Sequence, residues 1–258
     1  MIFLILLAVV SITLGAPTSS TLKVECTSKV CEVVGDFEVS SDLLREEDIL
    51  DGVTSRNALI NSKKLWKKGI VPYVFHKKIE PKNRAKIENA MRLIEAQTCV
   101  KFVPWDQSMG ENYLMVLANA GCFATVGYSR LNQRYLNLNQ RGCMGKLGTM
   151  QHELLHVLGL EHEQSRPDRD QYVDIIKENI LDGMEKNFKL VSQREYSTLD
   201  IPYDYNSVMH YSAYSFSKNR KATVLPKDKS IDPDILGQRN GASKSDIKKI
   251  NIMYKCKM

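Results

Sequence analysis

Beyond Ala16 the sequence has no apolar run long enough to cross a bilayer, which needs about 20 residues. It has no Asn-x-Ser/Thr triplet, so no N-linked glycan is expected. It has no internal repeat and no low-complexity stretch, and apolar residues make up 43% and charged residues 26%. Disordered and collagen-like classes are therefore excluded. Neither sign of charge dominates: 36 Lys+Arg stand against 30 Asp+Glu, a net charge of +6. Basic residues are dispersed, with no dense cluster beyond Lys63-Lys64 and Lys67-Lys68. That distribution gives no nucleic-acid footprint and little support for a heparin- or membrane-surface protein. Histidine is scarce, with five in 258 residues, so where the histidines fall carries information.

Met1 to Ala16 read MIFLILLAVVSITLGA and are followed by the polar PTSST. A run this short, ending in small residues, reads as a secretory signal peptide rather than a stable membrane anchor, although no basic residue precedes it. Export would put the six cysteines in an oxidising compartment, where disulfides are the default. Spacing alone leaves all 15 pairings open. Charge divides the remainder. Residues 17–56 hold four basic and nine acidic side chains, a net of −5, so residues 57–258 carry +6 − (−5) = +11. An acidic leader on a basic body reads as a pro-segment, residues 17–56, that masks the body, residues 57–258. Thr54-Ser55-Arg56 offers a trypsin-like protease a single basic cut site.

Within the body, residues 71–75, 100–103, 113–118 and 135–138 have the composition of short strands. Ile87, Ala90, Met91 and Ile94 recur at helical spacing behind Pro81. Gly148 to Leu158 reads as a second helix. Ser243 and Asp246 form a capping box for a third, with Ile247, Ile250 and Tyr254 on one face.

Three of the five histidines lie within eleven residues, in HELLHVLGLEHE. His152 and His156, four apart on a helix, project from one face, at a spacing that lets two imidazoles reach one zinc ion at about 2.0–2.1 Å. Gly159 can stop the helix with a positive φ, which lets His162 return as a third ligand. Three nitrogen ligands leave one position open, as in a catalytic site. A structural site would take four protein ligands, usually with cysteine, and no cysteine lies nearby. Glu153, beside the first ligand, is placed to act as general base toward an activated water.

The stretch QHELLHVLGLEHEQSRPDRDQYV resembles the zinc signature of the astacin metalloproteases, within the metzincins, and SVMHY resembles their Met-turn. The likeness runs from NALINSKKLWKKGIVPYVF to the last cysteine, with a texture similar to fish and amphibian hatching enzymes. It implies an α+β, two-lobed zinc protease domain with a twisted sheet, an active-site helix and a Met-turn. It implies zinc on His152, His156 and His162, Glu153 as base, Met209 beneath the imidazoles, and Tyr211 as a further ligand that turns to the oxyanion. Glu163 would anchor the new N-terminus at Asn57. Asp48, in Glu46-Glu47-Asp48-Ile49, would latch the zinc. A glycine expected there is Glu47 instead, and Asp51-Gly52 is the alternative latch. Family pairing implies Cys99–Cys256 and Cys122–Cys143, leaving Cys26 and Cys31 to pair locally. The implied partner is an extended protein or peptide laid on the edge strand after Cys122, with an acidic residue favoured after the scissile bond and Arg239 or Lys218 as the basic pocket residue. The implied protein is a secreted endopeptidase made as a zymogen. The alternative is an inactive secreted binding protein on the same scaffold.

Overall fold

The computed structural model describes residues 21–27, 30–37, 44, 48–50, 64–128, 134–192 and 197–257. The run Met1–Ala16, the Arg56–Asn57 junction, Glu46-Glu47 and the alternative latch Asp51-Gly52 lie outside the described residues. Among the described residues, no helix is long and apolar enough to cross a membrane.

A five-stranded mixed sheet carries the N-terminal half of the body. Its strands are β3 (Ile70–Phe75), β4 (Lys101–Pro104), β5 (Leu114–Leu117), β6 (Cys122–Ala124) and β7 (Tyr135–Leu138), in the order β4-β3-β5-β7-β6. All pairings are parallel except the last, β6 with β7, so β6 is an edge strand antiparallel to its neighbour. Helix α1 (Pro81–Glu95) begins on its proline and buries Ile87, Ala90, Met91 and Ile94 against one face of the sheet. Helix α2 (Leu147–Val157) joins the same core through Met150, Leu154, Leu155 and Val157.

Strand β5 reads LMVL, with all four residues buried. Alternating residues point to opposite faces, so a fully apolar strand implies that both faces are covered. Leu114 and Val116 face the helices, while Met115 and Leu117 face a second cluster. That second cover comes from the leader. A hairpin of β1 (Lys23–Cys26) and β2 (Cys31–Val34) closes through the Cys26–Cys31 disulfide and sets Leu22, Val24, Val33 and Phe37 on Val74, Met115, Leu117, Phe123 and Tyr135.

The C-terminal half is sparse in regular structure. A two-stranded sheet, β8 (Val173–Ile175) with β9 (Val224–Pro226), and helix α3 (Lys244–Met253) are its regular elements, joined by short 3-10 turns. Ser243 caps α3 in the capping box read from sequence: its hydroxyl accepts from Asp246 N, and Asp246 accepts from Ser243 N. Two bridges staple the body. Cys99–Cys256 ties the end of α3 to the start of β4, and Cys122–Cys143 ties β6 to the turn before α2.

Candidate active site

The site grows from the end of α2. After Val157 the chain turns at Gly159, whose φ of +106° lies in the left-handed region that favours glycine. The last α2 carbonyls are satisfied from three directions. The Trp66 indole donates to Val157 O at 2.9 Å, the Tyr254 hydroxyl to Leu158 O at 3.0 Å, and Gly127 N to His156 O at 2.8 Å. The helix therefore stops without orphan acceptors, and the turn carries His162 back toward His152 and His156.

The three imidazoles converge. His156 Nε2 lies 3.2 Å from His152 Nε2 and 3.3 Å from His162 Nε2. His152 Nδ1 donates to Val208 O and His156 Nδ1 to Leu160 O, both at 2.7 Å, so each of these rings turns an unprotonated Nε2 inward. Burial depresses the pKa of His152 to about 4, with the Arg239 charge adding to it, and burial likewise holds that of His156 well below its ordinary value. Neutral lone pairs brought this close repel one another unless a cation lies between them. A tetrahedral ion with ligands at about 2.05 Å would set its donors about 3.3 Å apart, the separation found here. The donor set thus fits zinc.

The fourth vertex is occupied by Asp48. Its Oδ2 lies 3.1 Å from both His152 Nε2 and His162 Nε2, and the four residues form a cluster able to hold one metal ion. Burial opposes charge on Asp48, yet His162 holds its carboxyl well below the ordinary range. The backbone around it is strand-like: Ala124 N donates to Asp48 O at 2.8 Å, Leu50 N donates to Ala124 O at 2.9 Å, and Ile49 pairs with Ala124 in parallel. The leader segment therefore lies along the β6 edge.

Glu153 is buried, and its Oε2 has no hydrogen-bond partner among the described residues. Burial, reinforced by the Asp48 charge, pushes its carboxyl well above the ordinary value. Such an orphaned acceptor beside a metal cluster marks where a substrate or water would sit.

Residues 207–211 meet the histidine cluster through Val208 O at His152 and the Tyr211 ring at His162. Met209 is buried, and its carbonyl accepts from Glu163 N at 3.0 Å. Tyr211 sets its ring 4.6 Å from that of His162, and its backbone N donates to Gln164 Oε1 at 3.0 Å. Asp246 holds this turn from α3: it accepts from the Ser207 hydroxyl at 2.6 Å and from Val208 N at 3.0 Å. Since Val208 O orients His152, Asp246 reaches the metal cluster at one remove. Sequence reasoning reads Asp246 as a helix cap and misses this second task. It also misses Gln164.

Glu163 is fully buried and holds the Lys249 ammonium, Arg166 Nη1 at 3.0 Å and the Asp204 N–H at 3.0 Å. Burial opposes its charge, but Lys249 and then Arg166 draw its carboxyl below the ordinary value. Of the two basic residues considered for the pocket, Lys218 is surface-placed and paired with Asp182 at 2.9 Å. Arg239 is largely buried, and its charge is felt by Asp48 and Glu153. Gly148 makes room for it: a Cβ there would lie 2.2 Å from the Arg239 carbonyl carbon.

The model of the astacin peptidase family matches residues 58–255. High choriolytic enzyme 1 of Oryzias latipes is 37% identical over 229 residues, covering 84% of this chain and 80% of that protein. Meprin A subunit beta of Homo sapiens is 39% identical over 225 residues, covering 85% of this chain. The chain spans 31% of that relative's length, and the same share of meprin A subunit beta of Rattus norvegicus. Among solved structures, the hatching enzyme zinc-protease HCE-1 of medaka superposes with a TM-score of 0.69 at 36% identity, over 76% of this chain and 97% of that one.

Proposed function

The chain belongs to the astacin family, with that family's α+β fold, and on that premise we propose that it is a secreted zinc-dependent endopeptidase made as a zymogen. One observation supports this reading above the others: three buried imidazoles turn their Nε2 atoms on one point, beside a buried carboxylate with an unused oxygen. In the proposed zymogen Met1–Ala16 directs export, residues 17–56 form the pro-segment, and a trypsin-like protease cuts after Arg56 to leave the peptidase domain 57–258.

His152, His156 and His162 would hold the zinc. When bound, it supplies a Lewis acid that lowers the pKa of a water in the open position to about 7. With Asp48 withdrawn, Glu153 takes a proton from the attacking water and delivers it to the departing amine. The Tyr211 hydroxyl donates to the oxyanion as negative charge develops. An extended substrate takes the place of residues 48–50 on β6, using the Ala124 N–H and C=O. Arg239, whose charge is felt by Asp48 and Glu153, would favour an acidic side chain after the scissile bond, while Lys218 is taken up by Asp182. The new ammonium at Asn57 would reach Glu163 by sharing or displacing Lys249.

The test is peptidase activity of the chain cut at Arg56, with zinc measured on the same sample. The wild type should cleave casein and a peptide library, and lose both activities to a zinc chelator. Glu153→Gln should keep its zinc and lose at least about a hundredfold in kcat. Full activity in Glu153→Gln with zinc bound refutes the mechanism.

A further inference from the structure

Asp48 sits at the histidine cluster and the hairpin on the sheet, and Leu50, two residues after Asp48, joins the hairpin's apolar cluster. The hairpin lies on the face of the sheet away from α1 and α2, and its attachment has the character of a folded interface. Val33 is fully buried and pairs in parallel with His76, and its carbonyl accepts from Lys77 N at 2.9 Å. Leu22, Val24 and Phe37 are each less than a tenth exposed, and the Phe37 ring lies 4.5 Å from that of Tyr135. Polar contacts ring this apolar centre. His76 Nε2 meets Gly35 O at 2.9 Å, Asn119 Nδ2 donates to Phe37 O at 2.8 Å, Arg84 pairs with Glu32 at 2.6 Å and Lys78 with Asp36 at 2.8 Å. An apolar centre within a polar rim is the anatomy of a specific interface. The Cys26–Cys31 bridge constrains the hairpin before it docks, which lowers the ordering cost of binding.

The body is built for this cover. Val74, Met115, Leu117, Phe123 and Tyr135 all point to the hairpin side, and all are buried beneath it. Without the hairpin they would form a contiguous apolar patch, which soluble monomers seldom leave open.

We propose, on the reading of this chain as a zymogen cut at Arg56, that the hairpin of residues 21–37 stays docked on this face after the cut and keeps the Asp48 latch tethered at the cleft. Ten residues separate Phe37 from Asp48. A latch on so short a tether returns at an effective concentration in the millimolar range. A single cut at Arg56 therefore leaves the site largely self-inhibited, and full activity waits on loss of the hairpin.

The experiment uses the full chain after signal removal, with Val53-Thr54-Ser55-Arg56 replaced by a sequence that a site-specific protease cuts after its arginine. The cut protein is run on a sizing column at micromolar concentration, and its peptidase activity is followed. The 17–56 piece is expected to co-elute with the body. Phe37→Asp should release it, and the cut Phe37→Asp protein should be at least about tenfold more active than the cut parent. As a milder perturbation, Arg84→Glu should weaken retention several-fold, and Glu32→Arg added to it should restore retention. Asp48→Ala should still co-elute, because the hairpin holds the piece without the latch. Free separation of the parent piece, or its release by Asp48→Ala alone, overturns the proposal. Co-elution with no zinc-dependent hydrolysis by either cut protein supports the docking and refutes the peptidase reading.

Discussion

Replacing Asp246 separates a helix cap from a device that supports the metal site. Its two oxygens receive the Ser207 hydroxyl at 2.6 Å and Val208 N at 3.0 Å, both fully buried, and the part-buried Ser243 N at 2.9 Å. Asp246→Ala leaves the Val208 and Ser243 N–H groups and the Ser207 hydroxyl without this acceptor. Each orphaned buried group costs about 1–3 kcal/mol. Part is recovered by local water and relaxation, and a net loss of about 4 kcal/mol is expected. For a domain of this size that lowers Tm by roughly 8–16 °C. Asp246→Asn is different. One amide oxygen can accept from both N–H groups while the NH2 donates to Ser207 Oγ, so the cost falls to about 1 kcal/mol. The functional part follows through Val208, whose carbonyl fixes the His152 tautomer at 2.7 Å. Outer partners of metal-binding histidines are worth about 10–100-fold in metal affinity. Calorimetry should rank parent, Asn and Ala in falling Tm, and zinc competition with a chromogenic chelator should rank their affinities in the same order. If Ala and Asn are indistinguishable in both measurements, Asp246 is a cap and nothing more.

Two further perturbations probe the scaffold. Gly148→Ala places a methyl 2.2 Å from the Arg239 carbonyl carbon, so it should destabilise by about 1–3 kcal/mol and raise KM for substrates with an acidic residue after the scissile bond more than for neutral ones; equal effects on both would detach Arg239 from specificity. Removing the Cys99–Cys256 bridge, which spans 157 residues, should lower stability in urea melts by up to about 5 kcal/mol in the loop-entropy model, against about 3 kcal/mol for the 21-residue Cys122–Cys143 loop; the reverse ranking would show that strain or residual structure outweighs chain entropy.

What can be read from the sequence is local. The helices follow from periodicity and caps: α1 begins on Pro81, and α2 begins at Leu147, one residue before the position read from the pattern. The histidine cluster is legible because a helix places residues four apart on one face, and Gly159 supplies the turn. The pairing of β8 with β9, across residues 173 to 226, is not legible. It depends on contacts between distant segments that leave no local period. The leader hairpin escapes notice for another reason: acidic composition draws attention to charge, and strands of four residues are too short to show a period. A signal is present in the body, however. Strand β5 is apolar at every position, and α1 and α2 can cover only one of its faces. Lys249 as the partner of Glu163 is likewise hidden, because a lysine on an amphipathic helix reads as solvated until its neighbours are known.

The β6 edge joins the two halves of the proposed regulation. Ala124 has one N–H and one C=O facing outward, and the leader uses both, through Asp48 O and Leu50 N. A substrate strand added at this edge needs the same two groups, so latch and substrate exclude each other even apart from the metal. Residues 48–50 hold this edge through two backbone hydrogen bonds, at about 1 kcal/mol net for each neutral bond, one carboxylate and the buried side chains of Ile49 and Leu50. A free peptide of residues 48–50 would therefore lose to a longer substrate. In the proposed tethering the apolar hairpin fixes the other end of the same chain, and Leu50, two residues from Asp48, packs in one cluster with Val33 and Phe37, so latch and hairpin reinforce each other.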